Sequence, residues 1–324
     1  MNVVVVGGGS WGTAFARLLA DHGHTVTLAC RDAEQAAAIR ATGRNPRYLT
    51  DIDLTGVDAA SIADAPVADA NLVVVAVPSA SFGEVVRALP GSAPVLSLTK
   101  GLDPVTEDRL STLVTDRPVA VLSGPNIAEE VARGLPAAAV IACESLPLAV
   151  QLQLAITSSA FRVYVNDDLV GVELCAAAKN VIALAAGGAD GLGLGDNAKA
   201  ALVTRGLVEM GRLAEVAGAR PETFAGLAGT GDLMATALAE GSRNRRAGEL
   251  VGAGVPAGQV QASLDQTAES LATVPLLADA LERQGIEAPI TTGLQRVLAG
   301  ETSPEQWLET VRSARPARRR THAA

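Results

Sequence analysis

Val3-Val4-Val5-Val6 runs directly into Gly7-Gly8-Gly9-Ser10-Trp11-Gly12, and a helical pattern follows. In a Gly-x-Gly-x-x-Gly turn between strand and helix, each glycine has a task. Gly7 permits the tight turn, Gly9 lets a pyrophosphate approach the backbone, and Gly12 lets helix and strand pack closely. The anion then rests on the N–H groups of the helix N-terminus. The stretch reads as a dinucleotide site in linear form.

Further along, Lys179 stands in Cys175-Ala176-Ala177-Ala178-Lys179-Asn180. Flanking alanines allow close helix packing, which would desolvate the ammonium. Desolvation lowers a lysine pKa and makes the amine usable as an acid or base near neutral pH. A lysine snorkelling from a helix edge is the plainer alternative. Composition weighs on that choice, because only Lys100, Lys179 and Lys199 are lysines among 26 basic residues. Lysine can give up a proton where arginine cannot. Lys199, between alanines at a helix start, reads as surface.

Gly229-Thr230-Gly231-Asp232 reads as a tight turn with Asp232 as helix N-cap. Its carboxylate could also orient a lysine or accept a bond from a substrate hydroxyl. In Gly241-Ser242-Arg243-Asn244-Arg245-Arg246, Ser242 can cap a helix whose first turn carries Arg243 and Asn244. A helix N-terminus with a forked guanidinium suits phosphate. Arg245 and Arg246 read as solvated. Lys100-Gly101 and Ser123-Gly124-Pro125-Asn126 each follow a predicted strand, where ligands of such sheets bind.

Residues 1–166 alternate between strands and helices, which predicts a doubly wound, mostly parallel α/β sheet. Predicted strands are Asn2–Val6, Thr25–Cys30, Asn71–Val77, Pro94–Leu98, Val119–Leu122, Ala137–Ala142 and Phe161–Val165. After Asp168 the pattern becomes helical: Leu169–Ala186, Asn197–Ala217, Asp232–Glu240, Arg243–Val251 and Ala268–Gln284. The expected organisation is a dinucleotide-binding domain over 1–166, an all-α substrate domain over 167–310 and a basic, disordered tail over 311–324.

Composition excludes several classes. With 324 residues, 48% of them apolar, the chain can bury two cores. No apolar run reaches the length of a membrane span, and the N-terminus reads as a core strand and not a leader. Three scattered cysteines and three histidines support neither a disulfide framework nor a metal site. A net charge of −9 argues against nucleic-acid binding. A cytoplasmic protein is expected.

Together with Asn45-Pro46-Arg47-Tyr48-Leu49, Gly187–Asn197 and Thr204-Arg205-Gly206, these stretches make the chain similar to the bacterial NAD(P)-dependent glycerol-3-phosphate dehydrogenase family. The likeness runs from residue 3 to about residue 285. It implies a Rossmann domain followed by an α-helical domain, commonly in a homodimer. It also implies reversible reduction of dihydroxyacetone phosphate to sn-glycerol 3-phosphate, feeding glycerophospholipid synthesis. By the same resemblance, Lys179 is the general acid/base. Lys100, Gly124, Asn126, Lys179, Asp232, Ser242, Arg243 and Asn244 fall at substrate positions. Gly7, Gly9, Ser10, Trp11, Gly12, Arg31, Tyr48, Lys100, Ala128, Arg243, Thr267 and Glu269 fall at cofactor positions. Two departures stand out: Asn126 replaces the family's usual Ser or Thr, and Met234–Gly241 is unusually rich in alanine.

Competing readings are a β-hydroxyacid dehydrogenase of similar build, and an NAD(P)H-sensing protein without turnover. Cofactor choice turns on the end of the second predicted strand. There Arg31 would favour a 2′-phosphate, while Asp32 has the spacing of an NAD-selecting acid. Use of both NADP and NAD is expected, with NADPH preferred.

Overall fold

The computed structural model describes residues 1–264 and 267–313. Eight strands form one sheet: β1 (Asn2–Val6), β2 (Thr25–Cys30), β3 (Val57–Ser61), β4 (Leu72–Val75), β5 (Val95–Ser97), β6 (Val119–Ser123), β7 (Ala137–Cys143) and β8 (Phe161–Asn166). Their order is β3-β2-β1-β4-β5-β6-β7-β8. All pairings are parallel except β6 with β7. The strand order reverses direction between β1 and β4, the switch point at which doubly wound sheets bind ligands.

Parallel strands buried on both faces need apolar residues at every position. β1 meets this: Val3 and Val5 enter one core with Phe15, Leu19 and Leu28, while Val4 and Val6 enter the other with Phe82 and Val86. Helices α1 (Ser10–Asp21), α2 (Ala33–Thr42), α3 (Ser79–Ala88), α4 (Ala128–Ala132) and α5 (Leu146–Ile156) accompany the sheet. The sequence pattern does not reveal β3. It reads Val-Asp-Ala-Ala-Ser and buries little more than Ala59 and Ala60, because it is an edge strand.

Beyond the sheet the elements are helical: α6 (Leu169–Gly191), α7 (Gly195–Val216), α8 (Pro221–Ala225), α9 (Asp232–Leu238), α10 (Arg243–Gly252), α11 (Ala257–Val260), α12 (Ser270–Arg283), α13 (Pro289–Leu298) and α14 (Pro304–Ser313). No strand occurs after Asn166 among the described residues. By packing the chain divides into two units, one of residues 1–177 with 218–235, the other of 178–217 with residues from 236 onward. α14 takes in the first residues of the expected tail and buries Val311. Residues 314–324 lie outside the described residues.

α6 is long and apolar enough to cross a bilayer by length and composition alone. Its most apolar stretch is 94% buried inside the protein, as in the core helix of a globular fold.

Within the second unit, α6 and α10 meet backbone to backbone. A Cβ on Gly187 would overlap the Arg245 carbonyl, and one on Gly248 would overlap the Leu184 carbonyl. Only glycine permits that approach. α7 and α13 are joined differently: buried Glu209 accepts from the Ile290 and Thr291 amides and from the Thr291 hydroxyl, at 2.8, 3.0 and 2.9 Å. Burial pushes the Glu209 carboxyl up, and these donors pull against it.

The contact makes a prediction of opposite signs. Gly211, on α7, has nothing within 4 Å of a built Cβ. Gly211→Ala is expected to stabilise by about 0.5–1 kcal/mol through helix propensity. Gly248→Ala is expected to cost about 1–3 kcal/mol through overpacking. Urea unfolding of the two variants checks the pair.

Candidate active site

The glycine-rich turn has the shape its sequence predicts. Gly7 sits at φ +121°, and a Cβ there would overlap the Ala76 carbonyl. A Cβ on Gly12 would overlap the Gly7 carbonyl, whereas one on Gly9 would meet nothing within 4 Å. The turn is therefore tight on the protein side and open at Gly9. Gly9 is also the N-cap of α1 and offers no side-chain cap. An open backbone at a helix N-terminus fits a pyrophosphate. Ser10 is buried behind it, and Trp11 packs edge-on against Phe15 with ring centroids 5.5 Å apart.

Two side chains that sequence reasoning did not single out hold this turn. Gln35 Nε2 and Asn45 Nδ2 donate to the Gly8 carbonyl at 2.7 and 3.0 Å. Asn45 is fully buried. Its Nδ2 also reaches the Thr13 hydroxyl, and its Oδ1 accepts from Gln35 Nε2 and from the Arg47 and Tyr48 amides. The signal in the sequence was Asn45 at the head of Asn-Pro-Arg-Tyr-Leu. Tyr48 is half-buried beside this network, and Arg31 is exposed just past β2. Asp32 caps α2, accepting from the Glu34 amide at 2.9 Å. Ala128 is the first residue of α4.

Four predicted substrate residues converge in the first unit. Lys100 Nζ lies 2.7 Å from Asp232 Oδ2 and donates to Asn126 Oδ1 and the Gly124 carbonyl at 3.2 and 3.3 Å. The Ser123 hydroxyl donates to the same Asp232 oxygen at 3.2 Å. Strand ends β5 and β6 supply Lys100, Ser123 and Gly124, and a π-helical turn at Leu227–Gly231 delivers Asp232. Asp232 is the first residue of α9, and its carboxylate holds a lysine, as its sequence context allowed. Its side chain is 3% exposed and that of Lys100 14%, so charge pairing replaces the water both groups have lost. Asn126 Nδ2 is buried with no hydrogen-bond partner among the described residues.

The second unit holds the other predicted set. Lys179 is buried on α6 and donates to the Thr236 hydroxyl at 2.8 Å. Next to it, Asn180 Oδ1 accepts from Asn244 Nδ2 at 2.8 Å, and Asn244 Oδ1 accepts from the Ser270 amide at 2.9 Å. Ser242 caps α10 through the Arg245 amide, and Arg243 opens the helix, exposed. Thr267 is exposed and half-buried Glu269 precedes α12. Thr236 carries no signal in its alanine-rich surroundings.

Two expectations are corrected here. Lys199 is not a surface lysine: its Nζ lies 2.5 Å from Asp190 Oδ1. Nor is Arg245 solvated, since its Nε pairs with Asp190 at 2.9 Å and its Nη2 with Glu249 at 3.0 Å. Arg245 ties α10 to α6 beside the glycine-lined contact, and Lys199 ties α7 to the same carboxylate. All three cysteines are buried and free. Burial, with Asp32 adding to it, pushes the Cys30 thiol up to about 11, which leaves it a packing group and not a nucleophile. No cluster of metal donors occurs among the described residues.

Comparison with known proteins places these elements. Residues 2–149 match the N-terminal model of NAD-dependent glycerol-3-phosphate dehydrogenase, and residues 168–309 match its C-terminal model. The chain belongs to this dehydrogenase family. It is 47% identical to glycerol-3-phosphate dehydrogenase [NAD(P)+] of Nocardia farcinica, over 91% of this chain and 93% of that protein. It is 42% identical to an enzyme of the same name from Salinibacter ruber, over 95% and 93%. Among solved structures, glycerol-3-phosphate dehydrogenase of Coxiella burnetii superposes with a TM-score of 0.92 at 37% identity, covering 97% of this chain and 99% of that one.

Removing one partner of a buried ion pair leaves a stranded charge, at about 3–5 kcal/mol. Asp232→Ala and Lys100→Met are each expected to destabilise this dehydrogenase by roughly that amount. The double variant should lose clearly less than the sum. Strict additivity in a double-mutant cycle would contradict the pairing.

Proposed function

We propose that the protein interconverts dihydroxyacetone phosphate and sn-glycerol 3-phosphate, with Lys179 as general acid/base and NADPH as the preferred cofactor. A bound nicotinamide cofactor supplies or takes the hydride at the substrate's central carbon. One observation carries the assignment of roles. Lys179-Asn180 on α6 and Ser242-Arg243-Asn244 on α10 share a glycine-lined helix contact and an Asn180–Asn244 bond of 2.8 Å.

In the reducing direction protonated Lys179 Nζ donates to the carbonyl oxygen as negative charge develops there. In the oxidising direction the neutral amine takes the hydroxyl proton. Thr236, at 2.8 Å, holds Nζ in place. Arg243 and the first turn of α10 take the phosphate, and that remote grip positions the reacting carbon. Lys100, held by Asp232 at 2.7 Å, lends positive charge to substrate and cofactor oxygens. The Asn126 amide, buried and unpartnered, offers a donor. Gly7, Gly9 and Gly12 with Ser10 and Trp11 cradle the pyrophosphate, while Arg31 takes the 2′-phosphate. A cytoplasmic homodimer supplying phospholipid synthesis completes the reading, on the strength of the family resemblance.

Initial rates of NADPH oxidation with dihydroxyacetone phosphate, unphosphorylated dihydroxyacetone and a 3-oxo acid test it. Turnover should be confined largely to the phosphate ester. Preference for the 3-oxo acid, or binding of NADPH without any turnover, would overturn it.

Two variants test the roles. Lys179→Arg keeps the charge but cannot deprotonate at working pH. It should lose about two to four orders of magnitude in turnover, as loss of a general acid does, while still binding NADPH. Arg243→Ala should raise KM and lower kcat for dihydroxyacetone phosphate. Its preference over unphosphorylated dihydroxyacetone should collapse, and a preference equal to wild type would remove Arg243 from the phosphate site.

A further inference from the structure

Arg31 and Asp32 compete in the sequence for one place, the adenosine ribose at the end of β2. The structure brings a third side chain to it. Arg47 Nη2 lies 2.6 Å from Asp32 Oδ2. The other oxygen, Asp32 Oδ1, caps α2 through the Glu34 amide at 2.9 Å. Both oxygens of the one acid that could select NAD are therefore engaged within the protein.

Arg47 is held at its base. Its backbone amide donates to Asn45 Oδ1 at 3.0 Å, and the same buried Asn45 side chain holds the Gly8 carbonyl of the dinucleotide turn at 3.0 Å. The loop bearing Arg47 is thus tied to the turn that takes the pyrophosphate. The guanidinium itself is 58% exposed. As a stabilising ion pair it is worth little, so its consequence lies in the charge and donors it presents. A guanidinium carries five N–H donors, and one suffices for Asp32.

We propose that Arg47 is a cofactor-specificity residue. It neutralises Asp32 and, with Arg31, presents two guanidinium groups to the 2′-phosphate of NADPH. The inference rests on the reading of the chain as an NAD(P)H-dependent dehydrogenase. Without Arg47, Asp32 would repel a 2′-phosphate and be released to bond a ribose 2′-hydroxyl, the arrangement that selects NAD. Arg47 thus acts on selectivity twice, by attracting the phosphate and by masking the acid.

The test is direct binding of NADPH and NADH at low ionic strength, followed by nicotinamide fluorescence with no substrate present. A charge-assisted hydrogen bond contributes about 1.5–3 kcal/mol, which is roughly ten- to a hundredfold in affinity. Arg47→Met is expected to weaken NADPH by that factor while NADH binding stays level or tightens. Arg47→Lys, which keeps charge but loses the fork, should recover part of the loss. Asp32→Asn placed on Arg47→Met should restore part of the NADPH affinity by removing the unmasked carboxylate. Equal weakening of both cofactors would mean that Arg47 only holds its loop, and unchanged NADPH affinity would remove it from the site; either overturns the proposal. Failure of the dehydrogenase reading shows separately, as NADPH binding with no turnover of dihydroxyacetone phosphate, and leaves the binding comparison to decide Arg47.

Discussion

The approach of α6 to α10 is the constraint on which the chemistry of the helical unit depends. Each helix would be repelled by side chains of ordinary size, and glycines at Gly187 and Gly248 remove them. Once the backbones touch, the residues at the end of the contact are no longer independent. Asn180 bonds Asn244, which ties the helix that carries Lys179 to the helix that starts at Arg243. On the proposed reading, a proton donor and a phosphate grip need such a tie, since small displacements cost rate steeply. The Asp190 carboxylate reinforces the same contact by pairing with Arg245, and draws in α7 by pairing with Lys199.

In the sheet unit, charge does comparable work. The ends of β5 and β6 present backbone and small side chains toward the rim where doubly wound sheets bind ligands. Lys100 is fixed there by Asp232, Asn126 and the Gly124 carbonyl. Lys179 donates to the Thr236 hydroxyl, and the proposed reading gives it the proton. The two lysines thus meet different partners, a carboxylate for Lys100 and a hydroxyl for Lys179.

Much of this was legible in the residues. Strands buried on both faces announce themselves by unbroken apolar runs, and the glycine turn by its spacing. The edge strand β3 was not legible, because a strand with one neighbour and two buried alanines leaves no pattern. α6 was legible as a helix of the second half, although its composition alone matches that of a membrane helix, and burial separates the two. The roles of Arg245 and Lys199 were hidden because their shared partner, Asp190, lies on another helix. Gln35 and Asn45 were hidden likewise, since amides that hold a turn look like any surface amide until the fold brings them to one carbonyl. Thr236 was lost in a run of alanines. What periodicity and local spacing encode could be read, and what long-range pairing decides could not.

The central claim is that Lys179 moves the proton, and chemical rescue tests it most directly. In Lys179→Ala, turnover of dihydroxyacetone phosphate with NADPH should fall to near background and be restored in part by small primary amines. The rescued rate should depend on amine pKa, as general acid catalysis requires. Residual turnover close to wild type, or rescue that is indifferent to the amine supplied, would contradict the account.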